Sequence, residues 1–273
     1  MGLIRSTLDQ LNDNDIALVG IPFDENSSFM QGPAKAPELI IDSIESDSAN
    51  FFTENLTDLN EHVRVKWCGN AIPSDYQSIR KPIDQILAQR AIPFSLGGDH
   101  SMTYPIMQAM AEKHPDLHIV QFDAHGDLYD ELDGNRHSHA CPFARIMEYG
   151  LAKNLTQIGI RTMSQHQKEQ ADRFGVNVIE MKDWAADINM KFDGPVYITF
   201  DMDVLDPAFA PGVSHHEPGG LSTREAISMI QKLDANIVGC DVVEYNPDRD
   251  INGVTGMVAA KIVKELLSQL LSL

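Results

Sequence analysis

Residues 117–127 read LHIVQFDAHGD, an apolar run that ends in three possible metal ligands at alternate positions, Asp123, His125 and Asp127. Extended chain has a side-chain period of two, so all three project to one side of the strand. The run IVQF is apolar almost throughout, as is VYITF at 196–200, and strands of that kind are buried on both faces of a parallel sheet. VYITF leads into Asp201, Met202 and Asp203, where alternation again places two carboxylates on one face. A third run, PFSL at 93–96, passes through Gly97 and Gly98 to Asp99 and His100. In open parallel sheets the ligand crevice lies beyond the carboxyl ends of the strands, where all three clusters fall.

Working outward, short apolar runs at 15–22, 63–68, 93–96, 117–122, 155–160, 176–179, 196–200 and 237–243 are candidate strands. Between them amphipathic stretches at 76–90, 104–114, 142–148, 164–174, 223–233 and 254–271 are candidate helices. That alternation is the mark of βαβ units. It predicts an α/β fold, a three-layer α/β/α sandwich with a mostly parallel, eight-stranded sheet. No repeat or linker interrupts it, and a single domain over 1–273 is expected, since α/β folds reach roughly 250 residues as one unit. The acidic stretch 45–62 (ESDSANFFTENLTDLNEH) reads as a surface excursion.

Composition removes whole classes of function. With 21 Lys+Arg against 40 Asp+Glu the formal charge is −19. Affinity for nucleic acid or an anionic membrane draws on clustered positive charge, so neither partner is expected. A neutral or cationic small molecule, or a metal, suits the chain better. The three cysteines, Cys68, Cys141 and Cys240, are far apart and form neither a disulfide framework nor a thiolate zinc pattern. The opening MGLIRSTLDQLNDNDIALVG lacks an apolar signal core, and no stretch approaches the roughly 18 apolar residues of a membrane span. A soluble protein of the reducing cytoplasm is the expectation.

The strand-end donors are His100, Asp123, His125, Asp127, Asp201 and Asp203, four carboxylates and two imidazoles. Desolvating that many carboxylates is costly unless cations accompany them, and four negative charges match two divalent ions. Oxygen-rich ligation with some nitrogen and no sulfur points to Mn²⁺, with Fe²⁺, Co²⁺ and Ni²⁺ as alternatives, and away from structural zinc. Two such ions lower the pKa of a shared water and generate a nucleophile for a planar carbon.

SLGGDHS (95–101), FDAHGD (122–127) and FDMDVLDPAFAPG (200–212) together resemble the signature motifs of the ureohydrolase family, the arginases and agmatinases. The resemblance runs from GIPFD at Gly20 through SHACPFARI and HHEPGGLSTRE to DVVEYNPDRD and the last helical stretch, and is most similar to the plant-type branch. It implies an arginase-like fold with two Mn²⁺ per subunit. One ion would lie on His100, Asp123, Asp127 and Asp201, the other on His125, Asp123, Asp201 and Asp203, with Asp123 and Asp201 bridging. Glu244, in VVEYNP, resembles the family's guanidinium-binding glutamate. His139, in HSHACP, resembles its proton-shuttling histidine; Ala140 stands where many relatives carry Gly, and His137 is the alternative imidazole. His139, Asp127 and Glu244 are thus the expected catalytic set. Asp206, Pro207, Gly219 and Gly220 read as turn formers, and His215 and His216 as loop residues beyond the metal motif.

The implied reaction cleaves a small cationic guanidino compound to urea and an amine. In the loop DLYDELDGNRHSH, Asp130, Glu131 and Asp133 suit an ammonium tail, whereas Asn135, Arg136 and Ser138 suit a carboxylate. Asp130, Asn135 and Ser138 join Glu244 as expected substrate contacts, with agmatine the leading substrate and arginine the alternative. Guanidinobutyrate and formiminoglutamate are further options. From a different class, a noncatalytic module on the same fold would have lost a ligand, His139 or Glu244, and none is missing. The resemblance also implies a homotrimer or homohexamer.

Overall fold

The computed structural model describes residues 2–185 and 190–272. Among the described residues nine strands form one sheet: β1 (Ile4–Arg5), β2 (Ile16–Ile21), β3 (Val65–Asn70), β4 (Ile92–Gly97), β5 (His118–Phe122), β6 (Asn154–Ile160), β7 (Asn177–Glu180), β8 (Lys191–Asp201) and β9 (Asp234–Val243). Their order is β1-β3-β2-β4-β9-β8-β5-β6-β7, and every strand pairing is parallel. The three-layer α/β expectation holds with nine strands in place of eight. The added strand, β1, is a two-residue edge strand beside β3, too short to give an apolar run.

Alternation along each strand feeds two cores. Ile16 and Leu18 of β2, with Val196, Ile198 and Phe200 of β8, face the core under α1 (Ala36–Ile44), α6 (Thr223–Lys232) and α7 (Val254–Leu271). Ala17, Val19 and Tyr197 face the other core, under α2 (Arg80–Ala88), α3 (Thr103–Lys113), α4 (Pro142–Glu148) and α5 (Gln165–Phe174). These are the three layers. Fully burying one Leu or Ile contributes about 1.5–3 kcal/mol, so the ridge Ile262, Leu266, Leu267 and Leu270 of α7 is a major anchor of the first layer. Helix α1 escapes the sequence pattern because PAKAP reads as a breaker. Its Pro37 instead stands in the first turn, where no N–H is needed.

The stretch 45–62 is tied down more firmly than a solvated excursion would be. Leu59 is fully buried, Glu54 N donates to Glu265 Oε1 at 3.0 Å, and Lys264 Nζ donates to the Asn50 carbonyl at 2.9 Å. Two apolar anchors, Phe51 and Leu59, sit among the acids and pack this loop on the α7 layer.

Strands β4 and β5 are consecutive in sequence, yet β9 and β8 lie between them. The chain therefore changes direction of winding here, and a crevice opens at the carboxyl ends of these four central strands. At the opposite, amino end a groove of about 820 Å³ is lined by Arg64, Arg90, Lys113 and His114 over Leu87 and Ile237.

Candidate metal centre

Four strand exits converge on the crevice. Beyond β4, Gly98 lies so close to the preceding loop that a Cβ would stand 1.7 Å from the Phe23 carbonyl oxygen; only glycine fits. Asp99 then caps the short turn His100–Met102, its Oδ1 accepting from Ser101 N at 3.0 Å, and aims His100 inward. Beyond β5 come Asp123, His125 and Asp127; beyond β8 a one-turn helix, Met202–Val204, carries Asp203; beyond β9 stands Glu244. Asp127 and Glu244 both have left-handed backbones, with φ of 48° and 63°. At each the chain leaves the extended run and turns across the crevice floor.

The six expected donors meet in two overlapping groups. His100 Nδ1 lies 3.0, 3.2 and 3.3 Å from carboxylate oxygens of Asp123, Asp127 and Asp201. His125 Nδ1 lies 2.9 Å from Asp203 and 3.6 Å from Asp123. Asp123 reaches toward both imidazoles with different oxygens, Oδ2 and Oδ1. His100–Asp123–Asp127 and Asp123–His125–Asp203 each bring ligand atoms close enough for one ion.

The chemistry of the donors fits cations better than protons. His100 Nε2 lies 2.8 Å from the Thr199 hydroxyl, which holds the ring in place. Buried His100 Nδ1, with no hydrogen bond, faces three carboxylate oxygens that crowd one another around it. Such an arrangement is repulsive until a positive ion enters. In the chain alone protons respond to the same demand: burial, with Asp123 beside it, pushes Asp127 up to about 6. Burial and the charges of Asp203 and Asp123 hold Asp201 well above the usual carboxylate range. Burial opposes charge on His100, yet the surrounding carboxylates raise it well above an ordinary imidazole.

Beside the donors a cavity of about 220 Å³ is lined by Asp127, Asp201, Asp203, His125, His139 and Glu244. His139 Nδ1 is 2.9 Å from Glu244 Oε1, which also accepts from His100 N at 2.9 Å. Burial disfavours the imidazolium, but the Glu244 charge outweighs it and pushes His139 up to about 9. Of the two histidines in HSHACP, His139 lines the cavity. His137 stacks on Tyr104 at 5.7 Å, away from it.

The expected tail contacts sit elsewhere. Asp130 Oδ1 is held by Arg145 at 2.7 Å and lies 3.4 Å from Arg136. Asn135 donates to Asn26 Oδ1 at 3.1 Å, and Ser138 is buried against Ala140 N. None of the three lines the cavity, because Leu132 and Asn135 pair through both backbone groups and fold 132–135 into a tight turn. The wall instead includes Ser28, Tyr129, Leu132, Gln167 and His215. His215, read as a loop residue, packs 5.3 Å from the His139 ring and 5.8 Å from His125. Asp206 does form a turn, accepting from Gly219 N and Gly220 N.

The family model described as the arginase family matches residues 14–268. The chain is 43% identical to Arginase 1, mitochondrial, of Arabidopsis thaliana, over 93% of this chain and 80% of that protein. It is 36% identical to Agmatinase, mitochondrial, of Gallus gallus, over 93% of this chain and 80% of that protein. The solved arginase from Medicago truncatula superposes with a TM-score of 0.89 at 40% identity, covering 94% of this chain and 87% of that one. One expectation loses ground to these likenesses and another is corrected. The leading substrate was agmatine, and the plant relatives at 40–43% identity are named arginases. The expected compartment was the cytoplasm, and those same relatives are named mitochondrial; the composition of a globular fold does not encode its address.

Proposed function

The chain belongs to the arginase family of guanidino C–N hydrolases, and on that premise we propose that it hydrolyses arginine to urea and ornithine at two Mn²⁺ held by His100, Asp123, His125, Asp127, Asp201 and Asp203. The observation that carries the choice of arginine over agmatine is the place of Asp130. Agmatine ends in a bare ammonium, whose natural partner is a carboxylate. Asp130 is already neutralised by Arg145 and Arg136. Beyond the proposed metal ligands and the His139–Glu244 pair, the cavity wall offers uncharged hydrogen-bonding groups, among them Tyr129 and Gln167. They suit a tail with both an ammonium and a carboxylate. The names of the plant relatives support the same choice.

When bound, the ion pair supplies a nucleophile from water near neutral pH and draws charge from the reacting centre. The protein's own groups do the rest. Glu244 commits Oε1 to His139 and His100 N, and its Oε2 accepts from the guanidinium. Asp127, on the wall, accepts a hydrogen bond from the attacking water and orients it. His139, charged through its pair with Glu244, gives a proton from Nε2 to the leaving amine. Asp127, His139 and Glu244 are themselves buried, so water screens these charges little.

Urea release from arginine, agmatine and guanidinobutyrate, with formamide release from formiminoglutamate, tests the reading after Mn²⁺ loading. Arginine should give the highest kcat/KM. A higher value for agmatine would overturn the substrate and leave the reaction class standing; no turnover of any compound would favour a binding module. We further propose a single domain that assembles as a homotrimer or homohexamer, supported by the exposed apolar row Ile251, Val254 and Met257. A 30.3 kDa particle in light scattering would refute assembly.

A further inference from the structure

Ser28 stands on an irregular segment with no strand or helix to fix it, and its side chain is exposed. Even so, its Oγ lies 2.8 Å from His139 Nε2. The segment is laced into the site from behind. Asn26 N donates to Asp99 Oδ2 at 3.0 Å, Asn26 Nδ2 to Ser101 Oγ at 3.2 Å, and Ser27 Oγ approaches Asp99 Oδ2 at 3.4 Å. His139 N in turn donates to the Asn26 carbonyl at 3.1 Å. Asp99 precedes His100, whose N–H meets the Glu244 oxygen that also holds His139. The bonds form a closed circuit: Asp99, the 26–28 segment, His139, Glu244, His100.

We infer that Ser28 is a positioning residue for His139, fixing the tautomer and the ring orientation from which the imidazole exchanges its proton. The inference rests on the reading of His139 as the proton carrier. With Nδ1–H donating to Glu244, neutral His139 has a lone pair at Nε2, and the Ser28 O–H donates to it. Once Nε2 carries a proton, that N–H donates to Oγ, the hydroxyl hydrogen having rotated away, and it exchanges this bond for one to the leaving amine as the proton is given up. A hydroxyl therefore serves both protonation states without moving a heavy atom. A methyl group serves neither, and leaves the ring held at one nitrogen only. A ring free to tilt loses the alignment that proton transfer demands, and misplacement by about 1 Å costs on the order of a hundredfold in rate.

The test uses the Mn²⁺-loaded full chain and the variants Ser28→Ala, Ser28→Thr, His139→Asn and Ser28→Ala/His139→Asn. It reads kcat and KM on the best substrate of the panel and bound metal, and, in the metal-free form of each chain, where no paramagnetic ion broadens them, the ¹⁵N resonances of the His139 ring, assigned by their loss in His139→Asn. Ser28→Ala should lower kcat by about tenfold to a hundredfold with KM within about twofold and metal content unchanged. Ser28→Thr should restore most of the rate. The alanine should cost nothing further in the His139→Asn background, and should shift the His139 Nε2 resonance. Unchanged kcat, an unchanged ring resonance, or an equal loss in the His139→Asn background would overturn the inference alone. Wild-type turnover in His139→Asn would instead sink the proton-carrier reading, and the inference with it.

Discussion

The two ends of the sheet carry opposite charges in opposite surroundings. At the carboxyl end, acids and histidines crowd a cavity of about 220 Å³, and Asp123, Asp201 and Asp203 are buried. At the amino end, Arg64, Arg90, Lys113 and His114 border a groove of about 820 Å³. The larger hollow is the less demanding one. Its Arg90 meets Asp13 at 3.3 Å with both side chains mostly in water, and exposed pairs of that kind contribute about 0–1 kcal/mol. Buried like charges, by contrast, cannot stand unless something neutralises them. Volume alone would have chosen the wrong end; the electrostatic demand of the buried donors chooses the right one.

The sharpest attempt to break this contrast removes a proposed bridging acid. Asp201→Asn should lower turnover by at least about 10⁴ and reduce bound metal more than Asp203→Asn does. Equal metal content in the two variants, read by elemental analysis, would refute the bridging role. Next come the cavity groups that hold no metal. His139→Asn should reduce kcat by about 10² to 10⁴ with KM nearly unchanged, whereas Glu244→Gln should raise KM as well. Initial-rate kinetics that show the same pattern in both would merge two roles kept apart here. Chelation should then lower Tm by roughly 5–10 °C, since a ligand at about a hundred times its Kd contributes about 2.7 kcal/mol. Calorimetry showing the same Tm with and without Mn²⁺ would mean that the carboxylates need no counter-ion. The smallest effect belongs to the amino end: Lys113→Ala should leave kcat within about twofold and Tm within about 1 °C, and a large loss would show that the groove serves the reaction.

Much of the site was legible in the sequence because strand ends are. Apolar runs fix where β5 and β8 stop, and alternation brings Asp123, Asp201 and Asp203 into one place. The loop 129–138 was not legible, since the turn at 132–135 decides which side chains face inward and Asp130 finds an arginine before it can find a ligand. Ser28 was hidden for another reason. It lies 111 residues from His139 in the chain, and nothing in its own neighbourhood announces the contact. In the fold, β1 and α1 were missed where brevity or proline masked the periodic signal.

Among the described residues, eight other than glycine have positive φ. Asn14, Leu56, Glu61, Arg90, Asp133 and Asn252 are exposed, and Asp127 and Glu244 are the two buried ones. A left-handed backbone costs a residue with a Cβ about 1–3 kcal/mol, and glycine almost none of it. A redesign of this chain guided by thermal stability alone would therefore place glycine at both buried positions, and would erase one wall of the cavity and the anchor of His139 in the same step. Screens for heat resistance and screens for turnover should part company at these two residues before any others.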